Sequence, residues 1–202
     1  MKFIDKKDTI FVAGHTGMVG NALVKELLKK GYNKLYLPTR KELNLLNHES
    51  VKEWFIKKKP KVVILAAAKV GGIEANSKYP ADFILQNLKI QTNVIEHSWK
   101  NNVKKFLFLG SSCIYPKLSP QPIKEEYLLK GALEETNEPY AIAKIAGLKL
   151  CSALARQHKF NVISLMPTNL YGPGDNYNEN TSHVLPAFIN RFHAATIKGD
   201  KK

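Results

Sequence analysis

Tyr140 and Lys144, in the run Pro139-Tyr140-Ala141-Ile142-Ala143-Lys144, are the residues of this 202-residue chain whose types and spacing point most directly to chemistry. A tyrosine four residues before a lysine puts both side chains on one helix face, about one turn apart. An ammonium beside a phenol favours the phenolate, which predicts a Tyr140 pKa drawn down toward the range useful for proton transfer at neutral pH. Alone the pair says little, because many amphipathic helices carry Tyr and Lys at this spacing by chance. Its weight comes from order along the chain: Gly14-His15-Thr16-Gly17-Met18-Val19-Gly20 stands before it and Gly110-Ser111-Ser112-Cys113 lies between. Gly14, Gly17 and Gly20 follow one apparent strand and open a helix. Glycine there permits a tight turn, backbone approach to a pyrophosphate and close helix–strand packing. The spacing is G-x-x-G-x-x-G rather than G-x-G-x-x-G, so it departs from the commoner dinucleotide fingerprint.

The elements that must position these residues alternate between short β-branched runs and longer helical ones. Strands are expected at 9–13, 35–37, 62–65, 106–109 and 162–165. Helices are expected from the glycine run to about residue 30, over 49–58, from 81 to 101, around Tyr140 and Lys144, and from 185 to about 195. Strands alternating with helices predict βαβ units, and so an α/β fold built on a Rossmann-type, doubly wound parallel sheet. Residues 115–139 read as a long functional loop, with room for a helical turn.

Twenty residues after Gly20, where an acidic side chain would hold an NAD ribose, stands Arg40. A guanidinium there suits the 2′-phosphate of NADP; the plain alternative is a solvated arginine at a strand end. Ala66-Ala67-Ala68, after the third strand, is small enough to let a cofactor lie against the backbone, although ordinary close packing would explain it equally.

The composition sets limits. The net charge is +14, from 31 Lys+Arg against 17 Asp+Glu. The lysines are scattered, without the one-sided, aromatic-interleaved clustering of nucleic-acid binders, so no nucleic-acid partner is expected. A basic surface would still draw an anionic substrate. No apolar run approaches a membrane span and the N-terminus lacks a signal-peptide core, so a cytoplasmic protein without membrane association is expected. Cys113 and Cys151 have no metal-ligand spacing, and no metal is expected. Apart from His15 and His183, the histidines carry no signal.

Longer motifs sharpen the reading. Ala67 to Ile73, Gly110-Ser111-Ser112-Cys113-Ile114-Tyr115-Pro116-Lys117, Asn137 to Lys144 and Met166-Pro167-Thr168-Asn169-Leu170-Tyr171-Gly172-Pro173 resemble the extended short-chain dehydrogenase/reductases. Within them they resemble the GDP-L-fucose synthase family. The resemblance runs from about residue 9 to residue 196. It implies NADP(H) as cofactor and GDP-4-keto-6-deoxy-D-mannose as substrate, epimerised at C3 and C5 and then reduced at C4 to GDP-L-fucose. It also implies that Tyr140 donates a proton to the C4 oxygen, that Lys144 lowers the Tyr140 pKa and holds the nicotinamide ribose, and that Ser111 hydrogen-bonds the C4 oxygen. Cys113 and His183 match the epimerisation acid and base. A thiol and an imidazole titrate on either side of neutrality, which suits that exchange.

By the same resemblance Gly14, His15, Thr16, Gly17, Met18, Val19, Gly20, Arg40, Ala66, Asn87, Pro167, Thr168, Asn169 and Leu170 bind the cofactor, and Arg191 contacts a substrate phosphate beside His183. The residues themselves leave His15 as a structural turn residue and Arg191 as a solvent-facing helix arginine. Thr16 stands where some relatives carry a second arginine for the 2′-phosphate, which leaves NAD use open. A homodimer is expected through the helices at 81–101 and 140–156.

The family continues into a smaller substrate domain. Residues 1–172 are therefore expected to form the NADP-binding domain and 173–202 only the start of the second. Two alternatives follow: an impaired NADP-binding remnant, and a related nucleotide-sugar 4-epimerase or dehydratase. Cys113 with His183 argues against the latter, since a 4-epimerase needs no proton shuttle at C3 and C5.

Overall fold

The computed structural model describes residues 4–178 and 181–199. Five parallel strands form one sheet in the order β2-β1-β3-β4-β5, with β1 at Ile10–Ala13, β2 at Leu35–Tyr36, β3 at Val62–Leu65, β4 at Lys105–Leu109 and β5 at Val162–Leu165. Six helices connect and follow them: α1 (Met18–Lys29), α2 (His48–Lys58), α3 (Ile73–Lys78), α4 (Pro80–Lys100), α5 (Glu138–His158) and α6 (Val184–Lys198). This is the expected doubly wound α/β sheet. Its order reverses between β1 and β3, and the carboxyl ends of strands at such a switch point form the crevice where ligands bind.

Strand periodicity splits the core in two. Phe11, Ala13, Val63, Leu65, Phe106 and Phe108 face α2, α4 and α5, where they pack with Val51, Phe55, Val94, Ile95, Cys151 and Leu154. Ile10, Val12, Val62 and Ile64 face the other way, against Leu23, Val24 and Leu27 of α1. The second layer is narrow. Beyond it, Ile163 and Leu165 of β5 are exposed, as are Phe188, Ile189 and Phe192 of α6.

Local chemistry sets the helix ends. Asn47 caps α2 by accepting from Ser50 N at 2.9 Å, and Pro80 and Pro139 stand in the first turns of α4 and α5, where a missing N–H costs nothing. Helix α3 has no counterpart in the sequence reading; it is six residues long, too short to show a helical period. The expected loop at 115–139 ends at 137, just before α5 begins, and is punctuated by single 3₁₀ turns at Glu125–Tyr127 and Glu135–Asn137. No helix among the described residues is long and apolar enough to cross a membrane.

Candidate active site

The glycine turn is built by contact. Gly14 sits at φ +86°, and a Cβ there would lie 2.7 Å from Ala67 N. A Cβ on Gly20 would come within 2.0 Å of the Gly14 carbonyl oxygen. Both positions hold β1, α1 and the end of β3 together, and only glycine fits. Gly17 differs: a Cβ there would first meet Gly14 O, at 3.5 Å, an ordinary contact. The fold itself therefore leaves room for a side chain at position 17. Helix α1 starts at this turn without a side-chain cap and without an acidic residue in its first turn. Its free N–H groups and positive end are therefore available to an anion.

The second half of the site forms where β4 ends. Gly110 N donates to Leu165 O at 2.8 Å and Ser112 N to Pro167 O at 3.0 Å, zipping the loops after β4 and β5 together. Ser111 is extended and accepts from Cys113 N at 3.4 Å. Opposite it, α5 approaches the sheet closely at Gly147, where a Cβ would lie 2.6 Å from the Phe108 ring. The buried carboxamide of Gln91 donates to the Ala143 carbonyl one turn earlier. These contacts fix the turn of α5 that carries Tyr140 and Lys144.

A cavity of about 810 Å³ runs between the two halves. Its wall includes every residue from Gly14 to Gly20, together with Arg40, Ala66, Ser111, Tyr140, Lys144, Pro167 to Leu170 and His183. Cys113, Asn87 and Arg191 are not on it. The Cys113 thiol turns back to donate to Ser111 Oγ at 3.1 Å, because a 3₁₀ turn at Ser112–Ile114 follows Ser111 directly. Asn87 lies behind the wall as a clamp: its Oδ1 accepts from Lys69 N at 2.9 Å, and its Nδ2 donates to Lys69 O and Phe83 O at 2.9 and 2.8 Å. Its neighbour Gln86 lines the cavity instead. Arg191 is exposed on α6.

The electrostatics correct one expectation. Lys144 does not draw the Tyr140 phenol down. Burial is the larger effect and pushes the phenol well above its ordinary 10.0, with the nearby Cys113 thiol adding to the shift. Lys144 Nζ donates to the Leu109 carbonyl at 2.8 Å and stands 5.7 Å from the centre of the Tyr140 ring. Burial lowers its pKa from 10.5 to about 8. Cys113 is likewise pushed up by burial, against the opposing influence of its bond with Ser111 and the charge of Lys144.

This gives a pH signature for folding. A lysine whose folded pKa lies below its unfolded one destabilises the fold fully below the folded value, and the penalty is relieved as pH rises toward the unfolded value. Buried thiols and phenols, raised in the fold, act in the opposite sense once the unfolded groups ionise, from about pH 9 for cysteine. Between pH 8 and 9 the Lys144 effect acts with least opposition. The urea midpoint of the wild-type chain should therefore rise across that interval, and Lys144→Met should abolish the rise. A midpoint that climbs equally in the variant would rule out Lys144 as its source.

Sequence reasoning missed Asn76 and the contact it organises. Asn76 lines the cavity and is buried. Its Nδ2 donates to the carbonyls of Gly71 and Gly72 at 2.8 and 3.0 Å. Gly72 N in turn donates to Thr181 O at 3.1 Å, and a Cβ on Gly72 would lie 2.5 Å from Ser182 O. The start of α3 thus seats the backbone just before His183. The double glycine at 71–72 was the available signal, since adjacent glycines mark close backbone approach.

Comparison with known proteins decides the family. The model of the NAD dependent epimerase/dehydratase family matches residues 10–201. The chain belongs to that family. Among members of the NAD dependent epimerase/dehydratase family, it is 58% identical to GDP-L-fucose synthase 1 of Arabidopsis thaliana over 195 residues, covering 96% of this chain and 60% of that protein. Its fold matches a GDP-mannoheptose C4 reductase from Campylobacter jejuni with NADP bound at a TM-score of 0.90 and 43% identity, over 96% of this chain and 60% of the other. A GDP-L-fucose synthetase from Naegleria fowleri bound to NADP matches at 0.88 and 30% identity, over 99% and 66%. The chain spans about 60% of the length of the curated relative from Arabidopsis.

Proposed function

We propose that this chain belongs to an NADP(H)-dependent epimerase/reductase that converts GDP-4-keto-6-deoxy-D-mannose to GDP-L-fucose. In this reading residues 1–172 hold the cofactor and 173–202 begin the substrate domain. The observation that carries it is the single cavity wall shared by the glycine turn, Ser111, Tyr140, Lys144 and His183. The 58% identity to a GDP-L-fucose synthase supports the choice of substrate.

The residues present fit the dinucleotide. Gly17 leaves open space that the fold itself does not use, and the uncapped start of α1 offers N–H groups to the pyrophosphate. Arg40 is exposed on the cavity wall for a 2′-phosphate. Beside it, Glu42 is turned away from that role: its carboxylate accepts from Thr39 N and Oγ1 at 2.7 and 2.9 Å. Pro167 to Leu170 and Lys144 line the same cavity and would hold the nicotinamide end and its ribose. When bound, a reduced nicotinamide supplies hydride to C4.

The chain's own groups do the rest. Tyr140, kept protonated by burial, is the proton source for the C4 oxygen, and Ser111 is a second donor to it. A ketone at C4 acidifies the hydrogens on C3 and C5. His183 and Cys113 are the pair assigned to remove and return those protons, with Arg191 toward a substrate phosphate. A homodimer in the cytoplasm goes with this reading; Leu85 on α4 and Ile142 on α5 are large, exposed side chains suited to such a contact.

A second reading, C4 reduction without epimerisation, is favoured by the turn of the Cys113 thiol away from the cavity and toward Ser111. It also accords with the likeness to the heptose C4 reductase. One experiment separates the two readings. The purified chain is incubated with NADPH and GDP-4-keto-6-deoxy-D-mannose in deuterated water, following nicotinamide absorbance and label at C3 and C5. NADPH loss with label at both carbons supports the epimerase/reductase. Loss without label selects the plain reductase, and a chain that neither binds nor consumes NADPH overturns both.

A further inference from the structure

Three side chains that the cavity does not use come together where α2 packs on α4. One ligand atom from each of His48, Glu96 and His97 lies within 4.8 Å of the others. The two imidazole rings are 4.7 Å apart and tilted by 52°.

His97 is the fixed member. It is 3% exposed, and its Nε2 is buried without a hydrogen-bond partner. Leaving such a group unsatisfied is unfavourable, and a partner for that nitrogen would remove the cost. Burial first, and then the neighbouring His48, hold its pKa below the ordinary histidine value.

His48 is oriented by Asn93. The Asn93 Nδ2 donates to the Leu45 carbonyl at 2.9 Å, which turns its Oδ1 toward His48 Nδ1, at 3.3 Å. An amide oxygen can only accept, so it is Nδ1 that donates in this contact, which leaves Nε2 as the ring nitrogen turned to the cluster's other groups. A ring N–H held by an oxygen acceptor is the arrangement that orients ligating histidines.

The charged groups facing the cluster balance. Glu96 pairs with Lys100, and Glu49 pairs with Lys52 at 2.9 Å and stands 3.9 Å from His48 Nε2. Two carboxylates and two ammonium groups leave no net charge to repel a cation. Exchanging the partly exposed Glu96–Lys100 pair for a metal bond sacrifices little, since exposed ion pairs contribute little to stability.

We propose that His48, Glu96 and His97 form a binding site for a divalent transition metal of the zinc class, with solvent completing its coordination. Two imidazole nitrogens and one carboxylate are borderline donors, suited to zinc and cobalt rather than to magnesium or calcium. Zinc needs its ligands at about 2.0–2.2 Å. The partly exposed His48 and Glu96 close the triangle by side-chain rotation while His97 stays in place. The bound ion would tie the first turn of α2 to the last turns of α4.

The test is a calorimetric titration of the purified, metal-free chain with zinc chloride, which should find one strong site per chain. Cobalt(II) in its place should give the visible absorption of a four-coordinate ion. His48→Ala, a surface substitution that spares the core, should weaken zinc binding by at least about tenfold, as should His97→Gln. Zinc should raise the thermal midpoint of the wild type but not of His48→Ala. Tight zinc binding that survives His48→Ala, or that is lost instead in His183→Ala, overturns the proposal, as does no binding heat at millimolar zinc.

Discussion

Gly17→Ala should leave the fold intact and weaken NADPH binding by at least about tenfold, about 1.4 kcal/mol, whereas Gly20→Ala should damage the fold itself. The two glycines lie three residues apart in one turn, yet the constraints on them differ. At Gly20 an added Cβ would meet the Gly14 carbonyl oxygen at 2.0 Å and the Gly14 carbonyl carbon at 2.6 Å. Gly14 cannot retreat, because it already lies against Ala67 of the β3 end. Relief requires moving α1 off the turn, an overpacking cost of about 3 kcal/mol, at the upper end of the usual range. At Gly17 the nearest obstacle is at 3.5 Å, and alanine at a helix N-cap costs under about 1 kcal/mol relative to glycine. Urea denaturation and NADPH fluorescence titration of both variants give the two readouts. If Gly17→Ala binds NADPH as the wild type does, no phosphate approaches that backbone.

Tyr140→Phe should lower the rate of C4 reduction by about 10²–10⁴-fold, the usual contribution of a positioned proton donor. The phenyl ring fills the same space beside Lys144, so NADPH binding and stability should hardly change. The hydroxyl is held in its protonated form by burial, so its own ionisation should not shape the neutral pH range. Lys144 should: its pKa is lowered to about 8, and the charged form best assists proton delivery from the phenol. The wild-type kcat/KM, which reports the free enzyme, should therefore fall as pH rises through 8. Lys144→Arg, charged at every accessible pH, should flatten that limb even if its rate is lower. Residual activity in Tyr140→Phe within threefold or so of wild type would show that another donor, Ser111 for example, suffices.

The central strands were legible because β1, β3 and β4 bury short β-branched or aromatic runs, and Val62-Val63-Ile64-Leu65 coincides with β3. The glycine turn was legible because its conformational demands are local. Other features depend on angles that spacing does not reveal. Gln86 and Asn87 are adjacent on α4, but about 100° of helical rotation separates them, placing one on the cavity and the other behind it. Cys113 reads as part of the catalytic run until the 3₁₀ turn directs its thiol to Ser111. The Tyr–Lys spacing correctly indicated one helix face, but burial, which reverses the expected phenol shift, comes from the surrounding sheet and α4. His48 and His97 lie in different helices, so no sequence pattern links them. Their proximity follows from the packing of α2 on α4.

The two faces of the sheet also imply two levels of local stability. Among the described residues, three helices cover one face, and α1 alone covers part of the other, leaving Ile163 and Leu165 of β5 exposed. The amide protons of β1 and β3, central and sealed on both sides, should exchange with solvent only through global unfolding. Those of β5, the last strand of the described sheet, with Ile163 and Leu165 exposed, should exchange in this chain through a smaller local opening. Because Gly110 and Ser112 are hydrogen-bonded to Leu165 and Pro167, each such opening also releases the loop that carries Ser111. The breathing of an edge strand thereby becomes a motion of the candidate catalytic serine.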